Sequence, residues 1–249
     1  MDPEYGRKYR ELYERHWWWR AREAVIVDAL RRHPPAGGWG HGNILDIGCG
    51  DGLFFDRLAT FGESVQGVEP AAALVSDDPA RRDRIFIGPF DERYQPGRSF
   101  RLIVMLDVLE HLDDPAGALR HALSLLDPDG VFLATVPAFR SIWTTHDDLN
   151  EHRTRYTKAT MRALAAAGGL TIDRLEYFFH WTYPVKLAQR ALETVTRPAP
   201  KPATVPPRPI NAALQALSTA ERAILAPLQL PFGSSLLVVG HRMASARTA

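Results

Sequence analysis

The sequence is poor in cysteine, in net charge and in long apolar runs, and each shortage excludes a class of protein. Its single cysteine, Cys49, cannot form an intramolecular disulfide, which leaves a reducing compartment open. The formal net charge is +1, which argues against a dedicated nucleic-acid binder. No run approaches the roughly 18–20 consecutive apolar residues of a membrane span. Segments such as 236–239 are only a few residues long. Met1-Asp2-Pro3-Glu4 is polar with no apolar stretch behind it, so no secretory signal is expected and the chain reads as cytoplasmic. What is present is globular, with 45% hydrophobic and 24% charged residues. A chain of this length buries about 70–75% of its unfolded surface without a disulfide or metal staple.

The near-zero net charge hides an asymmetry. Residues 34–179 carry 14 basic and 21 acidic groups, whereas residues 180–249 carry 8 basic and 2 acidic. The basic end either packs against the acidic body and solvent, or meets an anionic acceptor or a membrane surface.

Hydrophobic spacing predicts a helix over 12–32, with Trp18, Ala21, Val25 and Ala29 on one stripe. His33-Pro34-Pro35 stops it, and a loop with Gly37, Gly38, Gly40 and Gly42 follows. Short apolar strands at Asn43–Ile47, 64–68, 84–87, 102–106 and 131–136 then alternate with helical patterns at 53–61, 71–75 and 115–126. That order implies a parallel sheet covered on both faces. The Ile/Leu/Val-rich strands fit burial from both sides. After Pro137 come a polar loop over 144–155, a helix over 158–167 and strands at Leu170–Phe178 and 235–241. Between these last two strands lies an insert. It holds a helix-like segment at 181–195, six prolines within 196–209 that read as an extended linker, and an amphipathic helix over 210–228 that Pro227 ends or kinks. The expected domains are a helical cap at 1–42, a core at 43–180 plus 234–242, and an insert at 181–233 serving as lid, acceptor pocket or interface.

The strongest local signal is Asn43-Ile44-Leu45-Asp46-Ile47-Gly48-Cys49-Gly50-Asp51-Gly52. A strand runs into three glycines at alternate positions, as a loop needs when it turns at positive φ or lets a ligand approach its backbone. Open parallel sheets bind ligands at that strand end. The dinucleotide fingerprint requires a third glycine where Leu53 stands. Asp46, two residues before the first glycine, suits a ligand with an ammonium group better than a pyrophosphate. Glu69, at the end of the second strand, can accept both ribose hydroxyls of an adenosine.

Together with Leu106-Asp107-Val108-Leu109-Glu110-His111-Leu112 and with LLDPDGVFLATVP at 125–137, these residues resemble a class I S-adenosylmethionine-dependent methyltransferase. More narrowly, the chain resembles the broad bacterial group related to ubiquinone-biosynthesis O-methyltransferases. The resemblance covers residues 10–178 and the final strand. It implies an α/β, doubly wound, Rossmann-like sheet of seven mostly parallel strands with the last antiparallel. It implies S-adenosyl-L-methionine as cofactor and S-adenosyl-L-homocysteine as product. The cofactor-binding set would be Asp46, Gly48, Cys49 and Gly50 at the methionine part, Glu69 and Pro70 at the ribose, Pro89 and Phe90 beside the adenine, and Leu106, Asp107 and Val108 below the sulfonium. Two features depart from the pattern: Arg101 stands where an Asp is usual, and the 181–230 insert is larger than in a minimal member.

Methyl transfer from a sulfonium is an in-line displacement that requires no metal, and no metal site is expected. Holding acceptor and methyl in line supplies much of the acceleration, up to about 7–11 kcal/mol. A hydroxyl acceptor needs a base within reach, and His152, His111 and His146 are the candidates. His16-Trp17-Trp18-Trp19-Arg20 is either packing or a cap over the site, from which Arg20 or Arg22 would meet the cofactor carboxylate. The expected acceptor is a small, largely apolar metabolite methylated at oxygen. Two alternatives stay open: a catalytically silent cofactor-binding module with membrane or protein contacts, and an NAD(P)-dependent oxidoreductase. Peripheral membrane contact and a homodimer are both open.

Overall fold

The computed structural model describes residues 3–243, with side chains described from residue 9 onward except at Ala226. Its strands are β1 (Asn43–Ile47), β2 (Ser64–Glu69), β3 (Ile85–Ile87), β4 (Phe100–Leu106), β5 (Leu126–Pro137), β6 (Leu170–Phe178) and β7 (Ser235–Arg242). Its α-helices are α1 (Pro3–Arg15), α2 (Trp17–Arg32), α3 (Phe55–Leu58), α4 (Pro79–Arg82), α5 (Pro115–Ser124), α6 (Thr145–Leu149), α7 (Lys158–Gly168), α8 (Thr182–Thr196) and α9 (Arg208–Leu225).

The seven strands form one sheet in the order β3-β2-β1-β4-β5-β7-β6. β7 runs antiparallel to both neighbours, and the other pairings are parallel. This is the doubly wound arrangement expected from the sequence. Strand order reverses between β1 and β4, so the loops leaving these two strands diverge and open a crevice at their carboxyl ends. Alternate strand residues face opposite layers. Leu45, Ile103, Met105 and Ala134 pack with Leu119, Leu123 and Leu164 of α5 and α7. Ile44, Leu102, Val104 and Leu133 pack with Ile26 and Leu30 of α2 and Leu58 of α3.

Several local expectations need correction. The helix expected over 12–32 is two helices, because His16 takes an extended conformation (φ −78°, ψ 132°) and its Nδ1 accepts the amide of Trp18 at 3.1 Å. The apolar stripe continues across this cap and conceals it. The pattern at 53–61 resolves into α3 and a 3₁₀ turn at Ala59–Phe61, and that at 71–75 into a 3₁₀ turn at Ala72–Leu74. The polar loop over 144–155 contains α6, opened by a reciprocal cap between Thr144 and Asp147. α9 ends at Leu225, before Pro227, and a 3₁₀ turn follows. Arg101 proves to be a tether: its guanidinium donates to the carbonyls of Ala36 (2.7 Å) and Gly38 (2.7 Å), pinning the glycine-rich loop before β1. No helix among the described residues is long and apolar enough to cross a membrane.

Candidate active site

The crevice between β1 and β4 is floored by the glycine loop. Gly48, Gly50 and Gly52 all have positive φ, at 74°, 55° and 65°. A Cβ on Gly48 would strike Val108 at 2.4 Å, so this glycine permits close packing of the β4 loop. A Cβ on Gly50 would meet nothing within 4 Å, so its backbone borders open space. Glu69, at the end of β2, turns toward the loop. Its Oε2 accepts the amide of Gly50 at 2.9 Å and its Oε1 accepts the amide of Ala71 at 2.8 Å. Burial raises its pKa against the opposing effect of those two amides. Asp46, on β1 beneath the loop, is 3% exposed. Burial lifts its carboxyl to about 8, despite attraction from Arg22.

Arg22 reaches this floor from α2. It is buried, donates to Thr135 Oγ at 3.0 Å and pairs with Asp107 at 2.8 Å. Its Nε is also buried and has no hydrogen-bond partner among the described residues. Asp107, the first residue past β4, holds a left-handed conformation (φ 58°) and accepts the Thr135 hydroxyl at 3.1 Å. A non-glycine residue in that region is strained and is kept there by its surroundings. Arg20, on the other side of the helix, is exposed. α1 lies across the same mouth. Arg10 is ion-paired to Asp51 of the glycine loop, and Tyr9 packs edge-on against Trp19. The tryptophans knit this cap to the insert, with Trp17 at 5.3 Å from Trp181 and Trp18 at 5.8 Å from Phe179 (ring centroids).

Beyond Asp107 lies a second group of polar side chains. His152 Nδ1 is 2.8 Å from Asp147 Oδ1. Asp147 is fully buried and is gripped bidentately by Arg155, at 2.7 Å and 2.9 Å. Burial opposes its ionisation, but the hydrogen bonds from His152 and Arg155 overcome this and hold its carboxyl below the usual range. The imidazole of His111 meets that of His152 edge-on at 4.9 Å. Burial lowers the pKa of His111, and His152 lowers it further. Glu110 is fully buried, with neither carboxylate oxygen hydrogen-bonded among the described residues; burial, then repulsion from Asp107, raises its pKa well above the ordinary value. Glu110, His111 and His152 each bring one donor atom within 4.8 Å of the others, the one such group among the described residues.

Residues 18–175 match the family described as a methyltransferase domain. The chain belongs to that family. A ubiquinone biosynthesis O-methyltransferase of Azorhizobium caulinodans is 30% identical to it over 132 residues, covering 51% of this chain and 47% of that one. A Mycolicibacterium smegmatis protein named as an S-adenosylmethionine-dependent methyltransferase is 31% identical over 173 residues, covering 68% and 65%. Both alignments span less than two thirds of the relative. Among solved structures, a SAM-dependent methyltransferase from Archaeoglobus fulgidus superposes with a TM-score of 0.55 at 15% identity, covering 88% of this chain and 93% of that one, which shows the shared fold. The methyltransferase's cofactor is S-adenosylmethionine. The oxidoreductase alternative falls.

The chain's own residues fit that cofactor. Gly50 borders open space, the Glu69 carboxylate stands beside it, and the unpartnered Nε of Arg22 lies at the same crevice. Other expected site residues are scattered more widely. The Cys49 thiol is pushed up by burial and occupies the space where a Cβ of Gly67 would stand. Pro70 and Pro89 are exposed, and Leu106 is half-buried at the end of β4. Phe90 packs at a tilt against His121 (4.8 Å between ring centroids) and Tyr94 (5.9 Å). His146, exposed on α6, accepts the Asn150 side-chain amide through its carbonyl at 2.7 Å and lies in electrostatic reach of Asp147 and His152. Sequence reasoning missed Tyr9, Thr135 and the grip of Arg155 on Asp147. The Thr144–Asp147 cap was the available signal for the last of these.

Proposed function

We propose that the methyltransferase transfers the methyl group to an oxygen of a small, largely apolar acceptor, with His152 as the base. The observation that carries this reading is the His152–Asp147 contact at 2.8 Å beside His111. An ionised Asp147 accepting at Nδ1 fixes the tautomer in which Nε2 is free to take a proton. Arg155 in turn fixes Asp147, so the imidazole has one orientation.

The cofactor supplies an electrophilic methyl. The chain supplies the rest. Asp46 would receive the ammonium end, the Gly48–Gly50 backbone would let the amino-acid tail lie close, and Glu69 would accept hydrogen bonds from the ribose hydroxyls. Arg22 faces the carboxylate end from the cap. α1 and α2 shield the crevice from water, which protects an activated oxygen nucleophile.

The test is a panel of catechols and phenolic acids with methyl-labelled cofactor, scored by mass spectrometry for methyl ether or ester. Replacing His152 with Gln lowers kcat by about 10²–10⁴-fold, while S-adenosylhomocysteine still raises the melting temperature. Label on nitrogen or carbon, or an unchanged kcat, would reject the reading. The grouping of Glu110, His111 and His152 favours a second reading, in which a divalent cation activates the acceptor oxygen. In that case a chelator abolishes transfer and added magnesium or zinc restores it. Under the base reading, chelation leaves the rate unchanged.

A further inference from the structure

The insert between β6 and β7 is built inside out. In α8, Lys186, Arg190 and Glu193 recur on the face that docks against the 140–150 segment. Arg190 donates to the Trp143 carbonyl at 2.8 Å, Glu193 accepts the Thr145 amide at 2.9 Å, and Lys186 lies in electrostatic reach of Arg155 and Asp147. In α9, which packs on α2, polar side chains also turn inward, beside Leu214. Asn211 binds the Trp17 amide at 2.9 Å, Ser218 accepts the Trp181 indole at 3.1 Å, and Arg222 donates to the Ala24 carbonyl at 2.8 Å. Glu221 accepts the His180 amide.

The opposite faces are therefore apolar and exposed. On α9 they carry Ile210, Ala213, Leu217, Ala220 and Ile224, with Ile210 52% and Ile224 68% exposed. On α8 they carry Val185, Ala188, Leu192 and Val195, the last 83% exposed. Ordinary surface helices do the reverse. Charge identifies the occupant. Both carboxylates of the insert, Glu193 and Glu221, are consumed by backbone amides. Arg197, Lys201 and Arg208, on the linker and at the start of α9, are exposed, with no side-chain hydrogen-bond or ion-pair partner among the described residues. An apolar face flanked by these unpaired cations of the insert complements an anionic lipid surface. A second copy would bring the same cations against themselves.

We propose that the outward faces of α8 and α9 dock this chain on an anionic lipid bilayer. The test uses the whole chain with vesicles of equal parts phosphatidylcholine and phosphatidylglycerol, alongside vesicles of phosphatidylcholine alone. The chain pellets with the mixed vesicles, stays in solution with the neutral ones, and is released by salt. Leu217→Glu with Ile224→Glu abolishes pelleting, while S-adenosylhomocysteine still raises the melting temperature. Leu192→Glu with Val195→Glu does the same from the other helix. Lys201→Gln and Arg208→Gln each weaken binding by about fivefold. Failure of the unmodified chain to pellet with mixed vesicles overturns the proposal, as does undiminished pelleting of the glutamate variants. So does light scattering that shows a dimer split by the same substitutions without vesicle binding. A missing response to S-adenosylhomocysteine counts against the cofactor site and not against this surface.

Discussion

Asp46 sits under the glycine loop in surroundings that favour its neutral form, with a pKa of about 8 against an ordinary 3.8. A carboxyl with a raised folded pKa contributes stability that is fully present below about 4 and is lost as pH rises toward about 8. The melting temperature of the cofactor-free protein should fall across that window, and Asp46→Asn should flatten the fall. The same substitution should weaken S-adenosylhomocysteine binding, because the amide cannot answer an ammonium with charge. Calorimetry in two buffers of different ionisation enthalpy should show proton release on binding near pH 7 in the native protein and none in the variant. Asp147 is the converse case. Its carboxyl is held low by His152 and Arg155, so its contribution is present at neutral pH and is lost only in acid. Asp147→Asn leaves the Arg155 guanidinium buried beside a neutral partner and should cost about 3–5 kcal/mol in urea unfolding.

At the scale of elements, Arg22 gives α2 its proposed part in holding the cofactor. Arg22→Gln removes the ion pair to Asp107 and leaves Thr135 without its donor. Charged hydrogen bonds are worth about 1.5–3 kcal/mol, so S-adenosylhomocysteine affinity should fall by about 10–100-fold in isothermal titration. The β–α alternation was readable in the sequence because buried parallel strands are runs of Ile, Leu and Val, and because glycines mark where β1 ends. The break at His16 was not readable, since an imidazole is an uncommon cap and the apolar spacing runs straight across it. Which histidine Asp147 meets was hidden for a different reason. Asp147 and His152 are five apart, a spacing that no regular helix face brings together; the end of α6 and the positive φ of Glu151 (57°) do so instead. Between Arg20 and Arg22, only the helix register decides which one turns inward, and with α1 and α2 read as a single helix that register was ambiguous.

At the scale of the whole molecule, the sheet places the proposed cofactor residues and the candidate base on one edge. β1 and β2 deliver Asp46 and Glu69, β4 delivers Asp107 and His111, and the segment after β5 delivers Asp147 and His152. The proposed cofactor residues thus sit at regular strand ends that the sequence marks, whereas the proposed acceptor end depends on the irregular 138–157 segment. The outermost layer adds a constraint on timing. Arg10 of α1 is ion-paired to Asp51 on the glycine loop. A cofactor bound over that loop as proposed would leave only after this latch opens. Arg10→Ala should therefore quicken S-adenosylhomocysteine departure in stopped-flow displacement while leaving single-turnover chemistry untouched. Where departure governs throughput, the weakened enzyme would be the faster one.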